Sequence, residues 1–290
     1  MNRQAYLILA HKNLWQLKKL LSSLDYEGNE IYVHLDRGAG FSCEDIGQVC
    51  TRSEVHFIEP RIRVVWGGLS IVKAEMALFA EAVRTPHSYY HLLSGMDLPV
   101  KRKEEIHAFF ENHPGRQFIN MWPDDITLEN CRYFTLMPDG SRFHPTDNIN
   151  KWFKEILKKR GITINDGVTF KKGSQWVSLS SDFARYLVGQ QDWVNKVFAH
   201  CTLCDEIFIP TVLEQSPFKG TLFGPDMLGN ENSARSNLRY ALWERGGVRH
   251  PGTFTIDDYD FLVNSDFFWA RKFDEKKDKE IIEKICAINA

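Results

Sequence analysis

The chain has 290 residues, 43% hydrophobic and 26% charged, enough apolar side chains to bury the core of one large domain or two modest ones. Its 36 Lys and Arg face 38 Asp and Glu, a formal charge of −2, so no global field draws it to nucleic acid or an anionic membrane, and any anion must be held by a local cluster. No apolar run reaches the roughly 20 residues of a membrane span, and the apolar run over 5–10 is too short, and too soon broken by His11, for a signal peptide. The expected location is cytoplasmic, with any membrane contact peripheral.

Residues 5–10 read as an apolar strand, and Asn13 with Gln16 forms a capping-box-like helix start. Leu14, Leu17, Leu20, Leu21 and Leu24 recur at helical spacing and predict a helix with one face on a sheet. Strands follow over 30–36, ending in Asp36, and over 55–58; then come a helix capped by Ser70 and running to about Arg84, a strand over 89–93, a helix around 104–111 and a strand over 117–121. This alternation predicts an α/β fold with parallel strands. Ligands bind such sheets beyond the carboxyl ends of the strands, so Ala10-His11, Asp36 and Ser94-Gly95-Met96-Asp97 mark one candidate crevice.

Between Met121 and Pro145 the pattern breaks at Pro123, Pro138, Asp139 and Gly140, the signature of a long functional loop or an insertion. The next helix, capped by Thr146, carries Ile149, Trp152, Phe153, Ile156 and Leu157 on one stripe and stops at Gly161; Trp152 on that stripe reads as core. A further helix begins at about Asp182 and a last one after Asp278. With no repeat, low-complexity tract or linker, 1–290 is expected to form a single domain.

Several segments could carry chemistry. Trp66-Gly67-Gly68-Leu69-Ser70 presents backbone N–H groups at a helix start, suited to a phosphate or a sugar hydroxyl and equally to a plain tight turn. In His91-Leu92-Leu93-Ser94-Gly95-Met96-Asp97 only one carboxylate ends the strand, and Gly95 stands where a metal-binding Asp-x-Asp would place its first acid. The literal Asp258-Tyr259-Asp260 follows Thr255 as a helix-start signature, and its acids read as caps. Without a metal, cations must quench a departing diphosphate; Arg249-His250-Pro251 and Ala270-Arg271-Lys272-Phe273-Asp274 supply them. Asp205-Glu206, before an apolar run, offers either helix caps or a general base. Six scattered cysteines read as reduced thiols; Cys201-x-x-Cys204, preceded by His200, lacks a second ligand pair for zinc.

In chain order, Tyr6-Leu7-Ile8-Leu9-Ala10-His11, Ile31-Tyr32-Val33-His34-Leu35-Asp36, Trp66-Gly67-Gly68, Leu92-Leu93-Ser94-Gly95-Met96-Asp97-Leu98-Pro99, Lys172-Gly173-Ser174-Gln175-Trp176, Asp205-Glu206, Leu238-Arg239-Tyr240-Ala241-Leu242-Trp243 and Ala270-Arg271-Lys272-Phe273-Asp274 span nearly the whole sequence. Together they resemble the core-2/I-branching β-1,6-N-acetylglucosaminyltransferase family (glycosyltransferase family 14), which includes the peptide O-xylosyltransferases. The resemblance implies a GT-A-type fold, a Rossmann-like, mostly parallel sheet flanked by helices, with 1–121 as the nucleotide-sugar-binding half and 122–290 as the acceptor-binding and catalytic half. It further implies a UDP-sugar co-substrate with GlcNAc favoured, no cofactor, no metal, and inversion to a β-linkage on a glycan or glycolipid hydroxyl; the expected cytoplasmic location, not the resemblance, suggests surface-polysaccharide or lipid-linked glycan assembly.

By the same resemblance Glu206 is the base, and Arg249 and Lys272 hold the diphosphate. His11, Asp36, Trp66, Gly67 and Asp97 line the donor pocket, while Gly173, Ser174, Trp176 and Asp205 border the sugar and acceptor. The chain departs from the family at Cys204, where a proline is usual, and at Pro210, and looks like a short prokaryote-type cytoplasmic member. The loop from Trp122 to Asp147 is expected to decide the acceptor. Xylosyl, galactosyl or glucosyl transfer, and a catalytically silent carbohydrate-binding protein using Trp122, Trp152 or Trp176, remain the alternatives.

Overall fold

The computed structural model describes residues 3–122, 129–138, 145–225, 233–243, 245 and 251–290. At its centre lies β1 (Gln4–Ala10), whose residues from Ala5 onward alternate between two apolar cores. It pairs in parallel with β2 (Asn29–Leu35) on one side and β4 (Tyr89–Ser94) on the other. Parallel β3 (Glu54–Phe57) adds to β2, while β6 (Ser178–Ser180) joins β4 antiparallel, giving the order β3-β2-β1-β4-β6. A strand buried on both faces must be apolar throughout, which is why 5–10 is legible as an unbroken hydrophobic run.

One face receives Tyr6, Ile8 and Ala10 together with Leu17, Leu20 and Leu21 of α1 (Leu14–Ser23), Ile106 and Phe110 of α4 (Lys103–Glu111), and the isoleucines of α11 (Lys279–Cys286). The other receives Ala5 and Leu7 with Val72, Met76 and Phe79 of α3 (Leu69–Ala82) and side chains of α7 (Ser181–Gly189), α8 (Gln191–Phe198) and α9 (Phe208–Glu214). Between α1 and α3 lies the short α2 (Cys43–Ile46); α5 (Glu129–Arg132), α6 (Pro145–Arg160) and α10 (Tyr259–Asn264) complete the helices named here. The expected α/β architecture, a mostly parallel sheet flanked by helices, is the one observed. A second sheet places β8 (Trp269–Arg271) between antiparallel β5 (Asp97–Pro99) and parallel β7 (Arg239–Ala241).

Local expectations differ from the structure in four places. Asn13 sits at φ 60 and makes no side-chain cap; its amide instead donates to Asp274 (3.2 Å), and Gln16 Nε2 donates to the carbonyls of Gly95 and Phe273. Gly68, not Ser70, is the N-cap of α3, and Ser70 Oγ accepts from the Val65 N–H, closing the preceding turn. Residues 117–121 make only isolated bridges, because β6 already occupies the free edge of β4. Trp152 is 65% exposed and Ile149 45%, while Leu157 is buried: the apolar stripe of α6 is wider than the surface that covers it. Asp278, by contrast, caps α11 as expected, accepting from the Ile281 N–H.

Candidate active site

Two glycine turns fix the loop that carries Glu206. At Gly67, φ is +76, a conformation that favours glycine, and its carbonyl accepts from the Leu203 N–H at 2.8 Å. Leu203 leads directly into the single 3-10 turn Cys204–Glu206. Gly173 donates its N–H to the Glu206 carbonyl (2.8 Å), and Ser174 N–H to the Asn120 carbonyl (2.7 Å). A β-carbon on Gly173 would stand 2.5 Å from that Asn120 oxygen and 3.1 Å from Pro210 Cγ, so only glycine lets the two chains approach. Pro210, the sequence's oddity, lies in the first turn of α9, where a missing N–H leaves no intrahelical bond unmade.

The Glu206 side chain is 41% exposed, and Lys172 Nζ lies 3.0 Å from its Oε2. The same ammonium sits 4.2 Å from the centroid of the Trp122 ring. Asp205 is buried; burial and the neighbouring Glu206 charge push its carboxyl up to about 6. Behind it Glu75 of α3 is fully buried, held well above the usual carboxylate range by desolvation, and accepts from Gln175 Nε2 at 2.6 Å. Trp176 lies under the Arg271 guanidinium at 4.2 Å, and its N–H donates to Ser174 Oγ.

The cationic end is set by strand register. β5 pairs with β8 so that Asp97 faces Arg271, and Arg271 Nε stands 3.4 Å from Asp97 Oδ1. Asp97 Oδ2 accepts from the Ser94 N–H; with 1% of its surface exposed, Asp97 acts on this crevice through Arg271. Burial pushes its carboxyl up, and Arg271 pulls it back down. Arg271 is within electrostatic reach of Glu206 as well as Asp97. The half-buried Lys272 is lowered by desolvation first, then by the adjacent charges of Arg271 and Lys12. The same Lys272, with Lys12, lowers the exposed His11, which burial already depresses. His11, Lys12, Arg271 and Lys272 thus lie near one another beyond the carboxyl end of β1, with Lys12 paired to Asp274 and Arg271 to Asp97 at 3.4 Å each.

Both carboxylate oxygens of Asp36 are engaged, accepting from the Gly38 and Val64 N–H groups at 2.6 Å each, so this residue shapes the turn beyond β2. Trp66 is 45% exposed beside Gly67. Arg249 falls outside the described residues, as do residues 123–128 and 139–144 of the expected acceptor loop. Asp258 completes a capping box with Thr255 and pairs with Arg245, as a structural acid would. Cys131, Cys201 and Cys204 are buried free thiols, and His200 stacks on Phe134 instead of joining them. Among the described residues no group of three or more His, Cys, Asp or Glu is arranged to hold a metal ion, and no helix is long and apolar enough to cross a membrane. A cavity of about 300 Å³ opens beside Trp122, between Lys171 and the Glu214–Lys219 pair.

Lys172 and Glu75 are contributors to which the sequence assigns no role, while Trp122 and Arg271 enter it only as a possible sugar platform and as part of a cationic segment. Lys172 and Arg271 stand inside the quoted motifs, next to Gly173 and Lys272, so adjacency was the available signal. Glu75 had none, being a helix-interior acid whose burial depends on α3 packing against the base loop.

An acid flanked by a lysine, with a tryptophan-lined approach and a cluster of cations beyond the parallel strands, defines an α/β enzyme-like crevice. The family model for the Core-2/I-branching enzyme matches residues 4–267, and the chain belongs to that family. It is 25% identical over 305 residues to xylosyltransferase 2 of Rattus norvegicus, covering 97% of this chain and 33% of that protein. It is 22% identical over 311 residues to xylosyltransferase 1 of Homo sapiens, covering 98% and 30%. The chain thus spans about a third of the length of these curated relatives. Among solved structures, it is similar to apo mouse xyloside xylosyltransferase 1, with a TM-score of 0.39 and 10% identity over 92% of this chain and 97% of that one.

Proposed function

We propose that the protein is a metal-independent, inverting glycosyltransferase that moves a sugar from a UDP-sugar to a hydroxyl of a glycan or glycolipid. The observation that carries this reading is that one segment, 172–176, touches both ends of the site: its Gly173 N–H holds the Glu206 carbonyl at 2.8 Å, and its Trp176 ring lies 4.2 Å from the guanidinium of Arg271, the neighbour of Lys272. In a single displacement the acceptor oxygen bonds to the anomeric carbon as its proton passes to Glu206. The carbon–oxygen bond to the β-phosphate breaks, its electron pair leaving with UDP, where Lys272 and, on the family resemblance, Arg249 take up the charge. His11, Trp66 and Gly67 border the nucleotide, Asp36 and Asp97 hold that border in shape, and Gly173, Ser174, Trp176 and Asp205 frame the reacting sugar. The cavity beside Trp122 receives the acceptor's further rings, aromatic and apolar surface with charged groups at the rim being suited to sugars.

The xylosyltransferase relatives favour a xylosyl donor over GlcNAc, and this is the second reading. A cytoplasmic enzyme with peripheral membrane contact fits a lipid-linked acceptor. Two variants test the mechanism together. Glu206→Gln should nearly abolish turnover while UDP affinity stays within a few-fold; Lys272→Ala should weaken UDP binding by about 1.5 to 3 kcal/mol, the scale of a hydrogen bond to a charged group. Undiminished turnover in the first variant removes Glu206 from the chemistry.

A further inference from the structure

The Lys172 side chain occupies two places that an acceptor needs. Its ammonium lies 3.0 Å from Glu206 Oε2 and 4.2 Å from the Trp122 ring centroid. It is not a wandering surface lysine: its carbonyl accepts from the Trp122 N–H at 2.8 Å, and the next residue, Gly173, donates to the Glu206 carbonyl at 2.8 Å. Lys172 is thus tied by backbone to both groups that its side chain bridges, and it is only 23% exposed.

Any glycosyl transfer that uses Glu206 faces competition from water. In that side reaction a water oxygen bonds to the anomeric carbon, Glu206 takes the water proton, and UDP departs with the electrons of the broken bond, wasting the donor. The Glu206 side chain is 41% exposed and meets solvent, but its Oε2 is engaged by an ammonium that is held by both an ion pair and a cation–π contact, so a water that is to give its proton to that oxygen competes with Lys172 and offers the lysine nothing in return. A sugar acceptor does: its ring can take the ammonium's place on Trp122, and its hydroxyls can accept hydrogen bonds from it.

We propose that Lys172 is a positioning residue that keeps Glu206 engaged until a sugar acceptor displaces it, and so suppresses hydrolysis of the donor. The proposal rests on Glu206 being the base. Its test is UDP release from UDP-xylose and from UDP-GlcNAc with no acceptor present, for the wild type, Lys172→Met, Lys172→Arg, Glu206→Gln and the Lys172→Met/Glu206→Gln double variant.

Lys172→Met should release UDP about tenfold faster than the wild type, the scale of one lost exposed ion pair with one cation–π contact. Lys172→Arg should stay near the wild-type rate, and the double variant should lose the gain. Trp122→Leu, which removes the platform without touching Lys172 or Glu206, should raise release in the same direction and gives a second reading if Lys172→Met folds poorly. Wild-type release in both Lys172→Met and Trp122→Leu, alongside an inactive Glu206→Gln, overturns this inference and leaves the base intact. A fully active Glu206→Gln overturns the base and this inference with it.

Discussion

Gly173 shows how much a single missing side chain can decide. Its contact with the Asn120 carbonyl and with Pro210 brings the Lys172–Trp176 segment against the base loop, and its N–H holds the Glu206 carbonyl. The glycine is visible in the sequence as part of a motif, but its reason is not, because the crowding atoms come from residues far away in the chain. Lys172 is hidden for a related cause: beside Lys171 it reads as one more surface charge, and only the fold sets it against Glu206. Asp205 carries a measurable consequence. Its carboxyl is raised from 3.8 to about 6 by burial and by Glu206, so between those values the folded protein binds more protons than the unfolded chain. Stability from this group therefore falls as pH rises through the folded value, by up to about 3 kcal/mol. Asp205→Asn should be more stable than the wild type at pH 7.5, with a thermal-midpoint advantage that shrinks toward pH 4. An advantage independent of pH would show that Asp205 is not strained by its charge.

At the scale of elements, period was legible, caps were legible at Asp278 and Thr255 but not at Asn13 or Ser70, and coverage was not. The Asp278 cap of α11 and the Thr255–Asp258 box are local, made between side chains and N–H groups a few residues apart. The face a helix presents to its neighbours is a tertiary matter. α6 has the expected apolar stripe, yet Leu157 is buried on it while Trp152 lies 65% exposed, because the neighbouring chain covers only one edge. Trp152→Gln should accordingly change unfolding free energy by no more than about 0.5 kcal/mol. A core tryptophan would cost about 3 to 5 kcal/mol on truncation, so chemical denaturation distinguishes the two placements without ambiguity.

For the molecule as a whole, the alternation of strands and helices announces the large parallel sheet, since consecutive parallel strands need crossovers. The small sheet was not legible: β5, β7 and β8 are three residues each, too short for a periodicity, and their partners are distant in sequence. Yet that sheet orients Arg271 and leads directly into Lys272. With a net charge of only −2, the proposed binding of a nucleotide diphosphate rests on this local cluster, and the cluster should then serve without a divalent ion. Calorimetry with UDP, UDP-xylose and UDP-GlcNAc, in excess EDTA and then in manganese, should give equal affinities in both conditions, and the tighter of the two sugar nucleotides decides between the two donor readings. Binding that appears only with manganese would reverse the electrostatic assignment.

The pairing of Asp97 with Arg271 also joins an early strand to a late one, because β5 and β8 lie far apart in the chain. All five strands of the large sheet and the turn bearing Glu206 precede β8 in the chain, so on the proposed mechanism the residue that takes the proton is synthesised before the basic pair. Such a half-made enzyme would have a base without its charge-quenching partner, and could not squander nucleotide sugar while still being synthesised.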